Sequence, residues 1–169
     1  MARAATRTQL LLARIAAALL IIFTFIGLLL HGASGSVWER IFTSIAERPG
    51  GPMTFRFILQ PIMAAILAAI DGVRDARSGT PPYFWSLVTG STARGDRLFD
   101  GIIATSRVIL LGLVMDVAYQ LIEFGTIYPG EAAIVAVLLA FVPYLLLRGP
   151  FERLARLWGV GSPSKDPQP

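Results

Sequence analysis

Cysteine is absent from the 169 residues, histidine and lysine each occur once, and only 15% of the residues are charged. Without cysteine there is no disulfide, no thiolate nucleophile and no haem attachment, and a single histidine leaves no zinc site built from Cys and His. No Walker or dinucleotide glycine pattern occurs, and Gly32-Ala33-Ser34-Gly35-Ser36 lacks the spacing of a nucleophile elbow. The expectation is no cofactor, no metal and no conventional hydrolase or nucleotide chemistry.

What is present is apolar surface. Hydrophobic residues make up 54% of the chain, and the mean hydropathy is +0.64. That is too apolar for a soluble domain of this size, so the lipid bilayer is the expected solvent and first partner. The net charge of +4 comes from arginines gathered at the ends of apolar runs. Such clustering speaks of orientation in a membrane and against nucleic acid as a partner.

The sequence predicts an all-α membrane protein, a bundle of four transmembrane helices over residues 10–30, 55–71, 101–122 and 131–147. Short amphipathic helices are expected at the interface over 36–47 and 150–158. Together they make one membrane domain over 1–160, followed by a disordered tail over 161–169 rich in Pro and Ser. The first run, Ile15 to Leu30, exceeds the ~7–15 residues of a signal-peptide core, so it is read as a retained span with Arg14 snorkelling. Ser36 and Glu39 form a capping box for the first interfacial helix, which carries Val37, Trp38, Ile41, Phe42 and Ile45 on one face. In the second span Ala64, Ala65, Ala68 and Ala69 permit close approach of a neighbouring helix. Tyr83, Phe84 and Trp85 read as an aromatic anchor at headgroup level. Pro143 is expected to kink the fourth span. Pro150 is expected to start a separate helix with Phe151, Leu154, Leu157 and Trp158 toward lipid and Glu152, Arg153 and Arg156 toward water.

Loop charges set the expected orientation. Arg3, Arg7 and Arg14, then Arg74, Arg77, Arg94 and Arg97, then Arg148, Arg153, Arg156 and Lys165 lie on one side, whereas on the other the connection from Glu123 to Glu131 has no Lys or Arg and the first loop balances Arg40 and Arg48 with Glu39 and Glu47. The positive-inside rule places both termini in the cytoplasm of a bacterial inner membrane.

Two constellations stand out. In the third span Asp116, Tyr119, Gln120 and Glu123 follow i, i+3, i+4, i+7 spacing and share one face, expected to point into the bundle. A charge at the centre of a span costs ~2.5–3.5 kcal/mol on insertion scales. Arg56, at similar depth on the second span, is the expected counter-charge. This set reads either as a buried ion pair fixing helix register or as a proton or solute path. The second set lies at the cytoplasmic end: Asp71, Arg74, Asp75 and Arg77 after the second span, and Asp96, Arg97, Asp100 and Arg107 entering the third. Salt bridges along the helices are the simple reading, with Arg107 snorkelling or pairing with Asp100. Two facing carboxylate pairs are also what a Mg²⁺ or Mn²⁺ site for a phosphate-bearing lipid would need. His31 reads as a solvated residue at the outer end of the first span.

Two resemblances accompany these residues. Arg56-Phe57-Ile58-Leu59-Gln60-Pro61, Asp116-Val117-Ala118-Tyr119-Gln120, Tyr128-Pro129-Gly130-Glu131, Pro143-Tyr144 and Arg148-Gly149 resemble a recurring pattern in small, uncharacterised bacterial four-helix inner-membrane proteins, which implies the topology and no activity. Asp71-Gly72-Val73-Arg74-Asp75-Ala76-Arg77 with Asp96 and Asp100 resembles the signature of CDP-alcohol phosphotransferases, departing by one inserted residue and by Thr92 where that family has glycine. The leading functional expectation is a non-enzymatic scaffold or accessory subunit that associates with itself or a larger membrane complex. A small oligomeric transporter using Asp116 and a metal-dependent lipid phosphotransferase-like enzyme using Asp71, Asp75, Asp96 and Asp100 are the alternatives.

Overall fold

The computed structural model describes residues 5–32, 35, 38–39, 42–43, 54–79, 83–84 and 94–160, with the side chains of Arg56 and Arg94 outside that description. Among the described residues the chain is all-helical, and four helices are long and apolar enough to cross a membrane. They are α1 (Arg7–His31), α2 (Arg56–Ser78), α3 (Arg94–Phe124) and α4 (Pro129–Leu157). The expected interfacial helix over 36–47 lies largely outside the described residues, and the tail over 161–169 entirely so.

Local chemistry explains the ends. Thr6 caps α1: its hydroxyl accepts from the Gln9 amide at 3.3 Å, and Gln9 Oε1 accepts from the Thr6 amide at 2.9 Å. Gly79 ends α2 in the left-handed region at φ 65°, where a Cβ would be strained. At the other end of the bundle Pro129 opens α4 at a position whose missing N–H costs no intrahelical bond.

Small residues set the packing. Ala64 and Ala68 of α2 are fully buried with Tyr83 and Tyr144, as the alanine spacing predicts, while Ala16, Val108, Ile109, Leu113, Ala132, Ala136 and Ala140 form a second core joining α1, α3 and α4. The tightest crossings are glycine contacts. A Cβ on Gly27 would lie 2.6 Å from the backbone of Gly130, and one on Gly72 would lie 2.7 Å from the Arg148 carbonyl oxygen. Outside these cores α1 and α2 present Ile21, Phe25, Leu29, Ile58, Ile62, Ile66 and Ile70, each half exposed or more.

The course of α4 adds a π-helical turn before Pro143 and departs from the expectation at Pro150. Before Pro143 the helix widens into a π-helical turn, Val137–Phe141. A proline at 143 has no N–H for the carbonyl four residues back and its ring crowds that carbonyl, and the wider turn absorbs both. After Arg148 the helix does not break: Val142–Leu157 runs through Pro150 as one element. The separate interfacial helix over 150–158 is therefore corrected. The contact at Gly72 explains the continuity, because Arg148, Glu152 and Ala155 are all buried and α4 stays seated on α2 past the proline.

Candidate functional site

At the end of the bundle where α2 stops and α3 starts, a buried polar network joins α2 to α4. Asp75 and Arg148 face each other across the Gly72 crossing. Arg148 donates to Asp75 through Nε (2.7 Å) and Nη2 (3.0 Å), a bidentate pair in which each side chain is under a tenth exposed. Its remaining nitrogen, Nη1, donates to the Tyr144 hydroxyl at 2.6 Å, and that hydroxyl donates to Asp71 Oδ2 at 2.9 Å. Arg74 closes the chain by donating to Asp71 Oδ1 at 2.7 Å.

Aromatic rings roof this network. The Arg148 guanidinium carbon sits 4.1 Å from the centroid of the Tyr83 ring, and the Tyr83 and Tyr144 rings meet edge to face at 5.9 Å. A desolvated cation over an aromatic face is worth up to about 2 kcal/mol. The Tyr83 hydroxyl donates to the Arg97 carbonyl at 2.6 Å, tying the start of α3 to the same point. Burial pushes the Tyr83 phenol up to about 12, with the positive charge of Arg148 pulling the other way. Tyr83 is thus a buried keystone and not the headgroup anchor expected from Tyr83-Phe84-Trp85; Phe84 is exposed, and Trp85 lies outside the described residues.

The other predicted residues of this end separate. Arg97 approaches Asp75 only to 4.0 Å. Arg77, Asp96, Asp100 and Arg107 are exposed. Among the described residues no group of three or more His, Asp or Glu side chains is placed to hold a metal ion. Asp71 and Asp75 already accept hydrogen bonds from Tyr144, Arg74 and Arg148.

Glu152 also departs from the sequence reading. Expected to face water, it is fully buried; Oε1 accepts from Arg156 at 2.6 Å, and Oε2 has no hydrogen-bond partner among the described residues. Tyr144, Arg148, Glu152 and Arg156 recur every fourth residue, one stripe along a helix. That spacing is legible in the sequence, but a helix break at Pro150 divides the stripe and conceals it.

The second set lies at the opposite end. Asp116 is fully buried and accepts from Gln120 Nε2 at 2.7 Å, while Gln120 Oε1 accepts from the Tyr128 amide at 2.6 Å. A side chain of α3 thereby fixes the turn into α4. Tyr119 is buried and packs edge to face on Phe124 at 5.8 Å. Glu123 is exposed, which corrects its assignment to the inward face: it stands in the last turn of α3, where the helix emerges from the bundle. Arg56 opens α2, and its side chain is outside the described residues. Glu131, in the first turn of α4, is 2% exposed. The His31 ring lies 5.1 Å, centroid to centroid, from the Tyr128 ring and is tilted against it.

Midway, Gln60 of α2 is buried and donates through Nε2 to the Val108 carbonyl of α3 at 3.3 Å, with Gly112 providing the space for its amide. Its Oε1 has no hydrogen-bond partner among the described residues. Compared with the models of known families, with curated proteins and with solved structures, the chain matches none.

Proposed function

We propose that this chain is a multi-pass protein of the bacterial inner membrane, with both termini in the cytoplasm, that acts as a non-enzymatic scaffold or accessory subunit within itself-associated or larger membrane complexes. The observation that carries the reading is where the buried charge goes. Asp75 is neutralised by Arg148 and ties α2 to α4, while Asp116 holds Gln120, whose amide oxygen in turn fixes the turn into α4, so these carboxylates serve the packing of the bundle. Removing a buried charge's partner is costly, and such pairs are well suited to fixing one helix register. The apolar outer faces of α1 and α2 support a lipid environment, and the arginine asymmetry of the loops supports the orientation.

The decisive experiment is purification from native membranes in mild detergent, with crosslinking before extraction. A partner or a second copy in fixed ratio is the expected result. A monodisperse monomer with no crosslinked neighbour would overturn the proposal.

A second reading, a proton or solute path, draws support from Glu131. It is a second buried carboxylate on the helix that packs against α3, which bears Asp116. Proteoliposome flux separates the readings: a folded Asp116→Asn protein that loses a proton-coupled flux shown by the parent would favour transport.

A further inference from the structure

The outward face of α2 carries a feature that the buried networks touch only through the bond of Arg74 to Asp71. Ala69, Ile70, Val73, Arg74 and Arg77 line an open depression of about 440 Å³. Ile62, Ile66 and Ile70 lie directly along the helix from it at four-residue spacing, and they are 50%, 55% and 51% exposed. The stripe is thus apolar for two turns and then cationic. At about 1.5 Å per residue, Ile62 to Ile70 covers about 12 Å, close to one leaflet of a hydrocarbon core about 30 Å thick. Arg74 and Arg77 follow about 6 and 10 Å further on, at the depth of lipid phosphates.

The two arginines have donors to offer. Arg74 gives one nitrogen to Asp71 and its side chain is 59% exposed. Arg77 is exposed and forms no ion pair among the described residues. A guanidinium pair beside an apolar stripe matches a ligand with acyl chains and a negatively charged phosphate.

We infer that this face of α2 is a binding site for an anionic phospholipid, with the acyl chains along Ile62, Ile66 and Ile70 and the headgroup phosphate held by Arg74 and Arg77. The inference rests on the membrane reading above but not on its orientation. A nanodisc offers the same lipids on both faces, so the site can be measured whichever way the chain lies.

The test is native mass spectrometry of the full chain released from nanodiscs of phosphatidylcholine with phosphatidylglycerol at varied fractions. The parent protein should retain phosphatidylglycerol in preference to phosphatidylcholine. Arg74→Gln or Arg77→Gln should weaken retention roughly 5-fold, and the double variant about 30-fold, from the contribution of each basic residue at an anionic surface. Arg107→Gln, an exposed arginine on α3, should leave it unchanged, and Arg74→Lys with Arg77→Lys should keep most of it because the charge is conserved. Retention of phosphatidylglycerol by a folded double Gln variant at the parent level would overturn the inference. So would equal retention of the two lipids by the parent, or full displacement of phosphatidylglycerol by millimolar inorganic phosphate, which would identify a simple anion site.

Discussion

Asp75 and Arg148 lie 73 residues apart in the chain and meet through two hydrogen bonds of 2.7 and 3.0 Å, the strongest polar tie between α2 and α4. The two opposite charges face each other in a buried, bidentate pair. Asp75→Asn or Arg148→Gln alone should therefore lower thermal stability in detergent substantially, by ~3–5 kcal/mol on the scale of buried pairs in soluble proteins. The double variant should recover much of the loss. Strictly additive losses in the three melting curves would show that the pair contributes no coupling.

The crossing that seats this pair depends on Gly72. A Cβ there would lie 2.7 Å from the Arg148 carbonyl oxygen and 2.9 Å from the Glu152 nitrogen, both backbone atoms that cannot rotate away. Gly72→Ala should cost ~1–3 kcal/mol, as overpacking does elsewhere. Gly149→Ala, where a Cβ would meet nothing within 4 Å, should be neutral or slightly stabilising in the same melts.

Tyr83 gives the fold a signature in alkali. Its phenol is pushed up to about 12 in the folded state, mainly by burial, against 10.0 when exposed. The unfolded chain therefore loses this proton first. Stability is unaffected by Tyr83 below about pH 10 and falls as the pH rises toward about 12. Melting temperatures recorded across that window should decline less steeply for Tyr83→Phe than for the parent.

At the opposite end, Asp116 is buried in α3 and bonded to Gln120. Asp116→Asn or Arg56→Gln singly should reduce folded yield, and the combination should restore much of it if the two charges compensate each other. Gln120→Leu should destabilise by ~1–3 kcal/mol, because the buried carboxylate and the Tyr128 amide both lose a partner. Size-exclusion profiles and detergent melts of the four variants measure this directly.

Orientation is open to a simple assay. Reporters fused after Ala33 and after Gly130 should lie outside the cytoplasm, and one fused after Pro169 should lie inside it. A periplasmic C-terminus would refute the topology.

Composition and apolar run length were enough to anticipate that the described residues are helical, with four helices among them able to cross a membrane, because a bilayer-length helix must be apolar along its whole length wherever its neighbours sit. Asp116 and Gln120 were legible for a related reason: a charge inside such a run is an anomaly that spacing alone reveals. The course of α4 past Pro150 was not legible. Local rules favour a new helix at a proline, and only contact with α2 at Gly72 supplies the packing that keeps one helix continuous and buries Glu152. The same holds for Tyr83, whose neighbours Phe84 and Trp85 suggest an interfacial belt. Its position over Arg148 depends on two segments brought together from distant parts of the chain, and a pairing at that separation is decided by tertiary packing, on which local sequence has no purchase.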